Sequence, residues 1–217
     1  RAAKARRRAR EAAEPDDAPA APSLPALSER SGILAGLDPD QARAAGTIDA
    51  PLLVIAGPGS GKTRMLTRRL AHLVLERGEP ASSCLAVTFT RRATEELAAR
   101  LAALGAGGST VHSFHTLGLA ILRRDGAAVG LAPGFRIADE AERASALAGA
   151  LGLTEPRALR LLRDVSVLKR AGADGTGEAG AALAALSELG RARGWVDFDD
   201  LVALAVQVLE TDVAAAA

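Results

Sequence analysis

An α/β fold with a largely parallel sheet, followed by an all-helical segment, is predicted by three features of this sequence. From Leu37 onward, short apolar runs alternate with amphipathic stretches of helical spacing. A glycine-rich bend, "GPGSGKT", joins the first apolar run to its helix. From about Asp125 to Gly194 the chain is rich in Ala and Leu and shows no strand-like alternation. The 217 residues allow one large domain or two small ones. Fifty alanines make up about half of the apolar fraction, against five aromatics, so the interior is expected to come from closely packed helices rather than large rings. No apolar run approaches the roughly 18 residues of a membrane span, which removes a transmembrane reading. A single cysteine, Cys84, removes an internal disulfide framework and a Cys-rich metal site, and suits a reducing cytoplasm.

The elements follow in chain order. Residues 1–14 carry six Lys/Arg and two Glu, a net +4 in a chain of net +1. The Pro/Ala/Ser connector "EPDDAPAAPSLPALSERSG" comes next, so residues 1–32 are read as a basic arm and linker outside the fold. The arm is either a solvated extension or a contact to nucleic acid. The chain does not begin with Met and is taken as part of a longer polypeptide. "LDPDQARAAG" predicts a short helix with Asp38 as N-cap and Pro39 at its first position. "PLLVIA", bounded by Pro and Gly, predicts a central strand buried on both faces. Behind the bend, Met65, Leu66, Leu70, Leu73 and Val74 are spaced as one face of a helix. "CLAVTFT" and "RRATEELAARLAALG" repeat the order of strand and helix. A third short strand is expected at Thr110 and Val111, before a helix from Ser113 to about Arg124. "IADEAERASALAGALG", "EPRALRLLRDVSVLKRAG" and "GEAGAALAALSELGRARG" then read as three helices separated by Gly or Pro. Trp195 and Phe198 are expected to anchor the return of the chain by packing.

The bend after "PLLVIA" carries the sharpest chemistry. A phosphate-binding loop requires Gly, four variable residues, then Gly-Lys-Ser/Thr; Gly61, Lys62 and Thr63 fit, with Ala56 at the leading position and Gly57, Pro58, Gly59 and Ser60 between. Gly57, Gly59 and Gly61 let the backbone curl so that successive N–H groups point at phosphate oxygens. Lys62 adds a charge for the β- and γ-phosphates, and Thr63 offers a hydroxyl to Mg²⁺. The helix N-terminus contributes roughly half a positive charge. A nucleoside triphosphate, with ATP as the expected cofactor, follows from these residues.

Five separated segments extend this reading: "LDPDQ", "AGPGSGKTR", "AVTFTRRATEELAARL", "TVHSFH" and "DFDDL". In this order they resemble the motifs of the UvrD/Rep/PcrA group of superfamily 1A DNA helicases, over residues 37 to 201. The resemblance implies a P-loop NTPase (RecA-like) parallel sheet with an inserted all-helical subdomain. Motor domain 1A would occupy residues 33–124, a 1B-like helical subdomain 125–194, and a return helix to the motor 195–217. It also implies an ATP-dependent enzyme that moves 3′ to 5′ on single-stranded DNA in repair or recombination and meets junctions of single- and double-stranded DNA. Gln41 would read the adenine edge and Arg64 would lie on the adenine ring. Phe89 would stack on an unpaired base, beside Thr90, Arg91, Arg92, Thr110 and His112 as DNA contacts. Phe89 has a rival role as a core filler, and Arg91 stands where the family usually has Asn. His115 and His72 match no motif and are taken as ordinary helix residues. Arg157, Arg160, Arg163, Lys169 and Arg170 are candidates for a DNA-facing side of the helical segment, with a solvated surface as the alternative.

Hydrolysis by a P-loop enzyme needs an acidic strand for Mg²⁺ and the attacking water. The sole Asp-Glu pair, Asp139-Glu140, follows the poor strand "FRIA" and is rejected for that role. The chain by itself is therefore expected not to turn over ATP. Two further readings remain open: the motor part of a RecB- or AddA-like helicase-nuclease, and a non-catalytic nucleotide- or DNA-binding module.

Overall fold

The computed structural model describes residues 32–211, so nearly all of the basic arm and linker expected over residues 1–32 lies outside the described residues. The protein is a mixed α/β molecule, mostly helical, with two pairs of short parallel strands among the described residues. The described residues divide into two compact units, with the boundary between His72 and Leu73.

In the first unit, helix α1 (Pro39–Gly46) starts where Asp38 and Pro39 predict. The Asp38 carboxylate accepts from the Gln41 backbone N–H at 2.9 Å, and the Gln41 side chain accepts from the Asp38 N–H at 3.4 Å, a reciprocal cap that satisfies two donors. Leu37, Ala42 and Ala45 pack with Met65 of helix α2 (Lys62–Leu75) in a small core. Arg68 donates to the Ile33 carbonyl at 2.6 Å, and Arg69 to those of Ala44, at 2.7 Å, and Thr47. These α2 guanidinium groups thus hold the α1 segment by its backbone.

The strand expected from "PLLVIA" does not form. Residues 51–56 are irregular and exposed, Leu53 at 84% and Ile55 at 90%. A strand exists only when its N–H and C=O groups find a neighbour, and no described segment pairs with this one. Apolar composition marks a segment for burial but does not supply its partner.

In the second unit, β1 (Leu85–Thr88) and β2 (Thr110–Ser113) pair in parallel, Leu85 opposite Thr110 and Thr88 opposite Ser113. Helix α3 (Arg91–Ala103) makes the crossover and is capped by the Thr90 hydroxyl, which accepts from the Ala93 N–H at 3.1 Å. Ser113 caps helix α4 (Phe114–Asp125) in a reciprocal box with Thr116. A second parallel pair joins β3 (Arg136–Ile137) to β4 (Trp195–Val196). β3 forms inside "FRIA", which by sequence is only a poor strand, because β4 returns beside it.

Between these two strands lie α5 (Glu140–Leu151), α6 (Glu155–Ala171) and α7 (Gly177–Arg193). Each ends on a glycine in the left-handed conformation: Gly152, Gly172 and Gly194. The three share a core of Leu147, Leu161, Leu162, Val165 and Leu186, sealed by Trp195. A second core joins Leu122 of α4 and Phe135 to Val196 and to Leu201, Ala205 and Val208 of α8 (Asp200–Thr211). Asp139 is spent as the N-cap of α5, accepting from the Glu142 N–H at 2.8 Å, in keeping with its rejection as a catalytic acid.

Candidate functional site

The phosphate-type loop sits at the start of α2. Ser60 donates from its hydroxyl to the Gly57 carbonyl at 2.8 Å, and Gly59 and Gly61 take φ values of +74° and +78°, open only to glycine without strain. The Lys62 ammonium turns into the loop, 3.0 Å from the Ala56 carbonyl and 2.6 Å from that of Gly57. Ala56, Pro58 and Thr63 are exposed, and the Thr63 hydroxyl has no partner among the described residues. Gln41 lies against the same loop and donates from Nε2 to the Ser60 carbonyl at 2.9 Å. A Cβ on Gly61 would meet that amide nitrogen at 2.7 Å, so the glycine also makes room for Gln41. Arg64 reaches back to the Gly36 carbonyl at 2.9 Å. The eight loop positions from Ala56 to Thr63, Gln41 and Arg64 are therefore one local assembly of the first unit. A cavity of about 280 Å³ lies there, lined by Asp38, Gln41, Ile55, Ser60 and Lys62 among others.

The second unit presents an aromatic edge. Because β1 and β2 run parallel with Thr88 opposite Ser113, the residues that follow, Phe89 and Phe114, leave the sheet at the same carboxyl edge. Phe89 is 87% exposed and Phe114 54%. Phe89 thus fills no core among the described residues. His115, one residue further, stacks on Phe198, with ring centroids 4.0 Å apart and planes at 20°. Arg91 pairs with Glu95 at 2.8 Å, which offsets its unfavourable place at the helix start. Arg92 is exposed and has no partner among the described residues. His112 is half-buried with Nδ1 3.2 Å from the Thr116 hydroxyl, whereas Thr110 stands at the opposite, amino end of β2. Phe114 was not picked out by sequence, and His115 and Phe198 were given no part in a site; the available signal for Phe114 was the repeated placement of an aromatic one residue past a strand, as at Phe89.

A family profile described as the UvrD/REP helicase N-terminal domain matches residues 37–217. The chain belongs to the UvrD/REP helicase family. It is 48% identical over 108 residues to the ATP-dependent DNA helicase PcrA of Leuconostoc citreum, covering 48% of this chain and 14% of that protein. It is 41% identical over 122 residues to PcrA of Bacillus subtilis (strain 168), covering 55% and 16%. It is 34% identical over 193 residues to the ATP-dependent DNA helicase Rep of Escherichia coli (strain K12), covering 80% and 29%. The chain thus spans less than a third of each relative.

In this UvrD/REP chain the "DFDDL" segment is held by a network of side-chain and backbone hydrogen bonds. Asp197, 1% exposed, receives Arg143 Nη1 of α5 at 2.8 Å and Lys169 Nζ of α6 at 2.8 Å. Lys169 also donates to Asp200 at 2.5 Å, and Ser166 of α6 donates to Asp199. Asp197 and Asp200 exchange backbone N–H bonds at 2.9 Å each. Burial alone would push the Asp197 carboxyl up. The Lys169 charge and hydrogen bond, the Asp200 N–H and Arg143 outweigh it, so Asp197 is held below the usual carboxylate range. Burial raises Asp200 instead, and the charge of Asp197 adds to it against the pull of Lys169.

Two expectations change here. Lys169 belongs to no DNA-facing side, because its ammonium is held by the buried Asp197 and the half-buried Asp200, whereas Arg157 stays at the surface in an exposed pair with Glu178. Trp195 does anchor the return by packing, but Phe198 stands 57% exposed against His115, so His115 is more than an ordinary helix residue.

Proposed function

We propose that this chain is the ATP-binding motor part of a DNA helicase that translocates 3′ to 5′ along single-stranded DNA in repair or recombination and acts at single-strand/double-strand junctions. The observation that carries the reading is the exposed Phe89 beside Phe114 at the carboxyl edge of two parallel strands, where open α/β sheets bind their ligands. Rings on such an edge stack on unpaired bases of any sequence, and the free Arg92 supplies a cation for a phosphate. The relatives' names, ATP-dependent DNA helicase, support the same activity. The parallel β1–α3–β2 unit supports a RecA-like P-loop sheet. Residues 33–124 and 195–217 would form motor domain 1A, and 125–194 the inserted 1B-like subdomain. The single free cysteine agrees with a cytoplasmic protein.

Lys62, the loop N–H groups and the α2 N-terminus would take the triphosphate, with Gln41 and Arg64 at the adenine. Mg²⁺ fits this donor set. No cluster of three or more His, Cys, Asp or Glu that could hold a metal exists among the described residues, and the one free hydroxyl of Thr63 suits an ion carried mainly by substrate phosphates and water. When bound, that ion would neutralise charge on the phosphates.

Binding of a fluorescent oligo-dT to the intact protein tests the edge. Phe89→Ala is expected to weaken it roughly tenfold or more without lowering thermal stability, and Phe89→Trp to retain it. Unchanged affinity for Phe89→Ala overturns the reading. Arg92→Ala is expected to reduce the slope of log affinity against log salt by about 0.7, one phosphate's worth on a single strand. An unaltered slope removes Arg92 from the contact. For polarity, duplexes with 3′ or 5′ tails decide, and unwinding of the 5′-tailed substrate alone contradicts 3′ to 5′ movement.

A further inference from the structure

We propose that Lys169 and Ser166, on helix α6, are positioning residues for the Phe198 ring: they clamp the Asp197–Asp200 turn so that the ring stands outward against His115. The clamp makes the strength of single-strand binding depend on the helical segment. This rests on the reading of the carboxyl edge as the DNA surface.

The geometry is specific. Phe198 lies between two carboxylates that are both tied to α6, Asp197 through Lys169 at 2.8 Å and Asp199 through the Ser166 hydroxyl. Asp200 completes the hold through the same Lys169 ammonium at 2.5 Å. The two reciprocal N–H bonds close the turn on itself, so its backbone has little freedom to rotate the ring. Arg143 balances the second carboxylate charge from α5.

An apolar ring that is more than half exposed gains by tucking inward, so something must hold it out. Buried ion pairs contribute little net stability compared with apolar packing, and their use is to admit one geometry. Here that geometry presents Phe198 to His115 at stacking distance. Helices α5 and α6, which carry Arg143, Ser166 and Lys169, share with α7 a core of their own, centred on Leu147, Leu162 and Val165. A shift of that bundle therefore reaches the edge through these polar contacts.

A double-mutant cycle in the intact protein tests this, with oligo-dT affinity read by anisotropy and the fold checked by circular dichroism and thermal melting. Phe198→Ala is expected to weaken binding roughly tenfold. Lys169→Met should weaken it by a similar factor, and the double variant should bind no more weakly than Phe198→Ala alone. Ser166→Ala, which keeps both ion pairs of Asp197, should cost about threefold and lose that effect in the Phe198→Ala background. It decides the question if Lys169→Met does not fold. Losses that multiply in the double variants, or clamp variants that melt earlier with unchanged affinity, overturn the clamp alone. Unchanged affinity for Phe198→Ala overturns the DNA role of this ring and the clamp with it.

Discussion

Lys62→Ala is expected to lower DNA-stimulated ATP hydrolysis of the intact protein by about two to three orders of magnitude, the usual cost of removing one group that stabilises charge on a reacting phosphate or oxyanion. The same change should move folding stability by no more than about 0.5 kcal/mol, because the side chain is exposed and belongs to no core. Its ammonium lies 2.6 Å from the Gly57 carbonyl and 3.0 Å from that of Ala56, turned into the hollow where a triphosphate would sit. No other Lys or Arg donates to the loop carbonyls among the described residues, so nothing nearby replaces it. Lys62→Arg should not rescue the activity, since a planar guanidinium does not substitute for a compact ammonium in a loop this tight. Phosphate release at saturating single-stranded DNA, with a parallel melting curve, makes the measurement. An active Lys62→Ala enzyme means that the loop is not the ATP site.

Gly118→Ala is expected to lower stability, although two physical rules give it opposite signs. Gly118 is an interior residue of α4, where helix propensity alone favours Ala by about 1 kcal/mol. A Cβ built there falls 2.2 Å from the Leu201 carbonyl oxygen and 2.9 Å from its carbon, both backbone atoms of α8. Backbone cannot rotate away as a side chain tip can, so α4 and α8 must separate and loosen the core of Leu122, Leu201, Ala205 and Val208. Overpacking of this kind costs about 1–3 kcal/mol and occasionally more, which outweighs propensity. The expected result is a lower denaturant midpoint. Gly149→Ala is the control: Gly149 is also helical, but nothing lies within 4 Å of its added Cβ, so propensity acts unopposed and stability should rise by up to about 1 kcal/mol. A stabilised Gly118→Ala would mean that the close approach of the two helices is not maintained in solution.

Both changes show where sequence reasoning holds and where it stops. Helix ends were legible because their causes lie within four residues: Asp38 with Gln41, Thr90 with Ala93, Ser113 with Thr116, and the terminal glycines Gly152, Gly172 and Gly194. The loop was legible for the same reason, since Gly59, Gly61, Lys62 and Thr63 carry their chemistry in a fixed spacing. The reason for a glycine in the middle of α4 was not legible, because the atom that forbids a Cβ belongs to a residue 83 positions later.

The sequence by itself determined the helices, the strand pair β1 and β2, the phosphate-type loop and the family, because capping, periodicity and motif spacing are local properties. Tertiary structure alone decided that Phe89 faces solvent, that Lys169 serves Asp197 and Asp200 rather than a surface, that Phe198 stacks on His115, and that residues 51–56 form no strand. Each of these depends on which distant backbone or charge arrives beside the residue. Composition cannot specify that, because a ring, an ammonium or an apolar run has the same local preferences whether its partner comes or not.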